Sequence, residues 1–218
     1  MSNDRSSPFD AIFASSGLDP VEASQRSMRA ELPKRFWTKV SADHLDGRYH
    51  LRLDGRSAKT PGGHPLSTAH EPFADILGAE WDAVGKRLDP SALPMTKLVN
   101  VSLGLDDAVR LSMLEEMRSY ANCDLLCYRA DRPKGLVDRQ NTVWDPYLDR
   151  LFTHHGVRLK LTGGIMPVEQ DPQVLDALRN LAETRAHDAE ALCALVLATT
   201  LTGSAVLALA LTEPGMDE

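Results

Sequence analysis

The stretch ALCALVLATTLTGSAVLALALT, residues 191–212, contains no charged residue and is about long enough to cross a bilayer as a helix. Its centre holds small and polar residues, namely Thr199, Thr200, Thr202, Gly203 and Ser204. Hydrocarbon tolerates polar groups least at that depth, and no belt of Trp or Tyr flanks the run. Small residues in mid-helix also let neighbouring helices cross closely. The stretch therefore predicts a long, buried central helix, and a tail anchor that spans a membrane at residues 191–212 remains the alternative.

A second helical pattern begins near Asp106. Apolar side chains recur there at spacings of three and four residues: Val109, Met113, Met117, Tyr120, Cys123 and Cys127. Such spacing places them on one face of a helix, so one unbroken helix through Cys127 is predicted. Because free cysteine behaves as a small hydrophobe, core packing is the favoured interpretation of Cys123 and Cys127.

Residues 136–161 combine a helical pattern with a short alternating one. Residues 136–143 are helical in spacing, and Asp145 followed by Pro146 is typical of the cap and the first residue of a new helix. Three apolar residues are expected to continue that helix inward: Leu148, Leu151 and Phe152. Residues 157–161 alternate apolar and charged side chains, which predicts a short strand.

The pattern just before the uncharged run covers residues 172–184 and is that of an amphipathic helix. Asp188 then stands where it would cap the apolar helix that follows. Together these elements predict that residues 105–218 form a mainly α-helical domain with the long apolar helix at its centre.

Residues 35–104 have a mixed pattern. Residues 35–40 are predicted to be a strand. Further on, Asp54 and Gly55 supply two positive-φ turn positions between alternating stretches, which predicts a β-hairpin. Residues 71–86 follow with the spacing of an amphipathic helix. This part is predicted to be a domain of a β-hairpin or small sheet with a helix.

The predicted fold class is therefore α+β, with the sheet-containing domain first and the helical domain second. Trp37 and Trp81 fall in apolar patterns and are expected in the core of the first domain. Residues 1–34 are polar and aperiodic, which predicts a mobile arm ahead of both domains.

Composition restricts the classes of function. With 24 basic and 31 acidic residues the chain has a formal charge of −7, which argues against a nucleic-acid binder that neutralises phosphates. Three cysteines are too few, and odd in number, for a disulfide framework, and the first residues lack the pattern of a secretory signal. We expect a cytoplasmic protein with no nucleic-acid partner.

Motifs for catalysis or metal binding are weak. A zinc site needs three or four ligands, and the histidines nearest to Cys123 and Cys127 are His154 and His155, far along the chain. Redox dithiols usually have two intervening residues at the start of a helix, unlike this pair. His154 and His155 are expected to close a helix. No catalytic, metal or cofactor site is predicted, and an enzyme that uses both thiols remains a further alternative.

Several short motifs follow one another across residues 35–211 in an order that resembles a known family. They are Arg35-Phe36-Trp37, Leu53-Asp54-Gly55-Arg56, Glu80-Trp81-Asp82, Leu93-Pro94-Met95-Thr96, Asp124-Leu125-Leu126-Cys127-Tyr128-Arg129-Ala130, Gln140, Trp144-Asp145-Pro146, Gly164-Ile165-Met166-Pro167-Val168 and Leu201-Thr202-Gly203-Ser204. In their number, order and spacing they resemble the assembly chaperones that hold the alpha subunit of the catalytic sector of F-type ATP synthase, in the alphaproteobacterial form.

The resemblance implies an α+β first domain, a helical second domain, no enzymatic activity and no cofactor. It also implies binding of an unassembled alpha subunit, whose interface would be kept from aggregating until the beta subunit takes over. Two features depart from the family pattern. Gly104 stands where an aspartate is expected, and members usually carry a further acidic segment beyond the position of Glu218.

Residues that contact the partner are predicted at two places. Trp144, Asp145 and Pro146 lie at a predicted helix junction, and Met166 with Pro167 lies at a predicted turn. Tryptophan is enriched in the centres of protein interfaces, which would suit a partner role for Trp144, and burial of its side chain is the favoured alternative.

Overall fold

A computed structural model of the chain describes residues 32–164 and 166–213. Most of the arm predicted for residues 1–34 lies outside the described residues. The described residues divide into two compact units, one that ends at Leu105 and one that begins at Asp106. The first unit contains an antiparallel sheet and the second is mainly helical. The predicted α+β fold class is confirmed.

The sheet of the first unit has four strands: β1 (Val40–Leu45), β2 (Arg48–Leu53), β3 (Arg56–Ser57) and β4 (Ser67–Thr68). β2 pairs antiparallel with each of the other three. Asp54 and Gly55 have φ angles of 49° and 78° and turn the chain from β2 into β3, as the sequence predicts. The same positive-φ pair recurs at Asp46 and Gly47, between β1 and β2.

The strand predicted at residues 35–40 is wrong, because β1 begins only at Val40. The backbone N–H groups of Thr38 and Lys39 donate instead to the Asp54 carboxylate, at 3.1 and 2.8 Å. The Asp54 side chain therefore accepts from the backbone N–H groups that a longer β1 would have donated to a neighbouring strand.

Two helices complete the first unit: α1 (Glu71–Asp82) and α2 (Pro94–Leu103). α1 ends four residues before the predicted Lys86, and the Arg35 guanidinium binds the carbonyl oxygens of Asp82 and Val84 just beyond its last turn. Trp37 and Trp81 are buried with their ring centroids 5.1 Å apart, which confirms their place in the core.

The helices of the second unit are α3 (Asp107–Asn122), α4 (Lys134–His155), α5 (Pro172–Arg185), α6 (Ala189–Thr202) and α7 (Ala205–Ala210). A short parallel pair joins β5 (Tyr128–Arg129) to β6 (Thr162–Gly163). α3 packs against α5, α6 and α7, and this contact forms the core of the unit. Both α5 and the cap by Asp188, which accepts from the Ala191 N–H at 2.7 Å, are confirmed.

Three predicted elements of the second unit are wrong. α3 stops at Asn122, so the chain leaves the helix before Cys127. α4 is one helix with Pro146 inside it, because the Asp145 side chain pairs with Arg129 and does not cap a new turn. Residues 157–161 form no strand, because the Gln170 side chain takes both the N–H and the C=O of Lys160, at 2.8 and 2.9 Å.

The uncharged run forms two helices, α6 and α7, so the single long helix predicted for it is wrong. Gly203 adopts a left-handed conformation with φ 68° and ends α6, and Ser204 caps α7 by accepting from the Leu207 N–H at 3.0 Å. Thr199 is buried and donates its hydroxyl to the Leu195 carbonyl oxygen. None of the described helices is long and apolar enough to cross a membrane.

Candidate partner-binding surface

Asp124 joins two distant motifs in the core of the second unit. Its fully buried carboxylate accepts from the Leu126 N–H through Oδ1 at 3.0 Å and from the Val206 N–H through Oδ2 at 3.1 Å. The neighbouring Leu125 N–H donates to the Gly203 carbonyl oxygen at 3.0 Å. Burial raises the pKa of Asp124, and the hydrogen bonds it accepts oppose that rise. The carboxylate thus holds the start of α7 against the turn that follows α3.

Arg129 organises the surface around α4. Its buried guanidinium donates from Nε to the Leu126 carbonyl oxygen at 2.7 Å and from Nη1 to Asn141 Oδ1 at 3.1 Å. Nη2 lies 2.8 Å from Asp145 Oδ1, at an angle that makes this contact an ion pair without a hydrogen bond. The guanidinium carbon also lies 5.2 Å from the centre of the Trp144 ring. A planar, charged fork suits several partners at once, so Arg129 fixes this face of α4.

The residues predicted to contact a partner fall at two places in this unit. Trp144 and Asp145 are half-buried on α4, where both contact Arg129, and Pro146 beside them is exposed. Met166 is 68% exposed and Pro167 is also exposed, in the segment after β6. The Thr162 hydroxyl donates to the Met166 carbonyl oxygen at 3.3 Å and fastens that segment to β6. The structure brings Trp144 and Asp145 together on Arg129, and the role of both groups in binding stays a prediction.

Sequence reasoning missed a concave site beside Asp145. We name it the α4 pocket, and it has a volume of about 210 Å³. It is lined by Asp145, Leu148, Asp149, Phe152, Arg158, Leu159 and Leu161. Phe152 was expected to point inward but is 44% exposed, and Leu151 next to it is buried as predicted. The exposure of Phe152 beside the buried Leu151 on α4 is the feature that draws attention to this pocket.

The cysteines differ in their surroundings. Cys127 and Cys193 are buried, and burial raises the pKa of each thiol to about 12. Cys123 is exposed beyond the end of α3 and Cys127 lies in the turn that follows, so the prediction that both lie on the apolar face of one helix is wrong. Core packing is confirmed only for Cys127. The thiolate is the form that binds metals and attacks disulfides, so the surroundings of Cys127 and Cys193 suppress that chemistry.

One group of possible metal ligands occurs at the end of α4. The ligand atoms of His154, His155 and Glu213 lie within 4.8 Å of one another. The same carboxylate is approached by the Nε of Arg150 at 3.3 Å and by the Nη2 of Arg185 at 4.0 Å. Two guanidinium groups at this range repel a metal cation. The arrangement is better suited to tying the ends of α4 and α5 to Glu213, three residues beyond the end of α7.

Motif residues of the first unit hold backbone in place. The Glu80 carboxylate accepts from the Met95 and Thr96 N–H groups at 2.7 and 2.9 Å and so caps α2. Trp81 Nε1 donates to the Thr96 hydroxyl oxygen at 2.8 Å. Phe36 is 74% exposed and contacts the Trp37 ring edge-on, at 5.0 Å between ring centroids. Among the described residues of this unit, Phe36 is the most exposed large apolar side chain, and Leu45 and Ile76 are also exposed.

A family model described as ATP12 chaperone protein matches residues 34–151. The chain belongs to the ATP12 chaperone family. This confirms the resemblance found from the sequence. The matched residues include Arg35, Asp54, Glu80, Asp124 and Arg129, whose contacts are described above.

Solved structures and a curated relative agree with membership in the ATP12 family. Atp12 of Paracoccus denitrificans is similar with a TM-score of 0.71 and 36% identity over 82% of this chain and 76% of that one. The Agrobacterium tumefaciens protein Atu1473 is similar with a TM-score of 0.75 and 36% identity over 90% and 73%. Mitochondrial ATP12 of Saccharomyces cerevisiae is 34% identical over 85 residues, which are 37% of this chain. The chain matches 25% of the length of that yeast relative.

Proposed function

We propose that the chain is an ATP-independent assembly chaperone for F-type ATP synthase. In this proposal it binds the unassembled alpha subunit of the catalytic sector and prevents its aggregation until the beta subunit replaces it. The observation that carries the proposal is the match to the ATP12 chaperone family over residues 34–151. The protein acts by binding alone, without catalysis or a cofactor, in the bacterial cytoplasm.

Exposed apolar side chains support a role in binding an unassembled subunit. They occur in both units and include Phe36, Val143, Phe152, Leu161, Met166 and Leu201. A subunit that lacks its neighbours exposes apolar interface, and a chaperone covers such surface with apolar surface of its own. The formal charge of −7 favours a client surface that is basic around its apolar part.

The test is refolding of isolated alpha subunit by dilution from denaturant, followed by light scattering. Addition of this protein at an equal molar ratio is expected to suppress the scattering, and the two proteins are expected to elute together on gel filtration. Omission of ATP is expected to leave both results unchanged. Isolated beta subunit serves as the control client, for which less protection is expected. Unchanged aggregation of the alpha subunit together with separate elution would exclude the proposal.

A further inference from the structure

The α4 pocket combines four apolar side chains with three charged ones. Leu159 is buried at its base and Leu148 is half-buried on α4. Phe152 and Leu161 are 44% and 48% exposed at its edge. Engineered apolar cavities of about 150 Å³ hold a benzene molecule, so a volume of about 210 Å³ admits one bulky side chain.

The walls of the pocket are held in place by contacts of their own. Gly156 has φ 68°, and its N–H donates to the Phe152 carbonyl oxygen at 2.8 Å, which turns the chain sharply at the end of α4. The Gln170 side chain then fixes Lys160, between the pocket residues Leu159 and Leu161, by accepting from its N–H and donating to its carbonyl oxygen. A pocket whose walls are already fixed costs little ordering when it is filled.

The charges around the pocket nearly balance, because Asp145 is paired with Arg129, and Asp149 is the carboxylate without a partner among the described residues. Asp145 and Asp149 line it on α4, and Arg158 supplies one positive charge. The Arg158 guanidinium lies over the Phe152 ring at 4.1 Å from its centre. Within residues 32–164 and 166–213, the exposed Asp149 side chain takes part in no ion pair or hydrogen bond. A carboxylate beside apolar surface favours a partner that carries a positive charge next to its apolar group.

We infer that the α4 pocket receives one bulky apolar side chain of the client, from a segment in which that residue stands next to a lysine or arginine. The apolar side chain fills the space between Leu148, Leu159 and Phe152, and the adjacent cation pairs with Asp149. This inference rests on the proposed function, because the segment belongs to the bound alpha subunit. It extends the proposed function by naming a site on the chaperone and the type of client residue that binds there.

The first experiment measures the affinity of isolated alpha subunit for two lysine variants. Leu161→Lys places a charge at the pocket rim, and Leu136→Lys is its matched control on α4 outside the pocket, where the wild-type side chain is 44% exposed. Leu161→Lys is expected to weaken binding by at least about tenfold, in the range of interface hot spots, while Leu136→Lys has little effect. Circular dichroism and melting temperature establish that both variants fold.

The second experiment tests the charge at the rim. Asp149→Lys is expected to slow association and to weaken the dependence of affinity on salt, because a charge at the edge of an interface acts mainly on the encounter. Asp138→Lys, on the same helix but outside the pocket, is the control. Equal salt dependence in wild type and Asp149→Lys would exclude the cation beside Asp149.

A photo-crosslinking amino acid at position 161 identifies the client segment. The cross-linked peptide is expected to carry a bulky apolar residue next to lysine or arginine, and an acidic peptide would overturn the inference. The outcomes separate the two proposals. Wild-type protein that does not bind alpha subunit would exclude the proposed function and the inference together. Wild-type binding that Leu161→Lys leaves intact would exclude only the role of the pocket.

Discussion

Arg129 Nη2 and Asp145 Oδ1 lie 2.8 Å apart, in an ion pair whose arginine is buried and whose carboxylate is half-exposed. The arginine also binds the Leu126 carbonyl oxygen and the Asn141 side chain. One residue of the turn after α3 therefore sets the position of two residues on α4.

Arg129→Lys is expected to lower the free energy of unfolding by about 2–3 kcal/mol, because an ammonium group cannot replace the fork that serves Leu126, Asn141 and Asp145 together. Urea unfolding measures the change. Arg118→Lys is the matched control, since Arg118 makes partly exposed ion pairs on the surface of α3. An equal loss of unfolding free energy in Arg129→Lys and Arg118→Lys would contradict the view that Arg129 stabilises the fold through its three simultaneous contacts.

Asp124→Ala leaves the buried N–H groups of Leu126 and Val206 without their acceptor. A buried donor left unpaired costs about 1–3 kcal/mol, so a loss of about 2–6 kcal/mol is expected for the two. Chemical unfolding measures it. Asp149→Ala, at an exposed position on α4, is expected to change stability by less than about 0.5 kcal/mol.

The raised pKa of Asp124 predicts a pH dependence of stability. The folded state holds its proton more tightly than the unfolded state, so this contribution to stability is complete below the unfolded pKa and is lost as the pH rises through the folded pKa. Asp124→Asn removes the titration. The stability of wild type relative to Asp124→Asn should therefore fall with rising pH across that interval, as measured by urea unfolding at several pH values. A difference that does not change with pH would contradict the prediction.

Gly203→Ala is expected to destabilise the protein by about 1 kcal/mol, because an alanine at φ 68° is strained. A Cβ added there would meet Leu125 Cβ at 3.9 Å, an ordinary contact, so the cost lies in the backbone. Gly135→Ala is the matched control: it lies in α4 with nothing within 4 Å of an added Cβ, and it is expected to stabilise by up to about 1 kcal/mol. Thermal unfolding measures the change in stability of each variant, and the two changes are expected to have opposite signs.

Thiol labelling of the folded protein is expected to modify Cys123 quickly and the two buried cysteines slowly. Cys127 and Cys193 have pKa values raised to about 12 by burial, so little thiolate is present near neutral pH. Addition of denaturant should release both for rapid reaction. Labelling of Cys123→Ser, with denatured protein as the reference, measures the two buried thiols alone, and fast labelling of this folded variant would contradict the assignment.

Elements encoded by neighbouring residues were predictable from the sequence. α5 and the Asp188 cap follow from local spacing and local hydrogen bonding, as does the turn at Asp54 and Gly55. The break at Gly203 also had a local signal, because a glycine that ends one helix is followed at once by Ser204, a preferred cap for the next. The uncharged, mostly apolar composition of residues 191–212 favoured the interpretation as one helix instead.

Elements controlled by distant side chains were not predictable. Residues 157–161 have the alternation of a strand, and their burial begins in that pattern, but Gln170 occupies the backbone groups that a strand would pair. The helix predicted to reach Cys127 stops at Asn122, where the chain turns to place Asp124 against α7. The α4 pocket depends on residues from α4 and from the segment after it, and their meeting is a tertiary event.

The bond between Asp124 and Val206 spans 82 positions, and this separation matters while the chain is being made. Asp124 leaves the ribosome long before Ser204, Ala205 and Val206 are added to the chain. Its carboxylate therefore stays hydrated until the hydrogen-bond donors of those three residues become available. Burying it earlier, without those donors, would be costly. We therefore expect the second unit to close only after α7 has left the ribosome, well after α3 has done so.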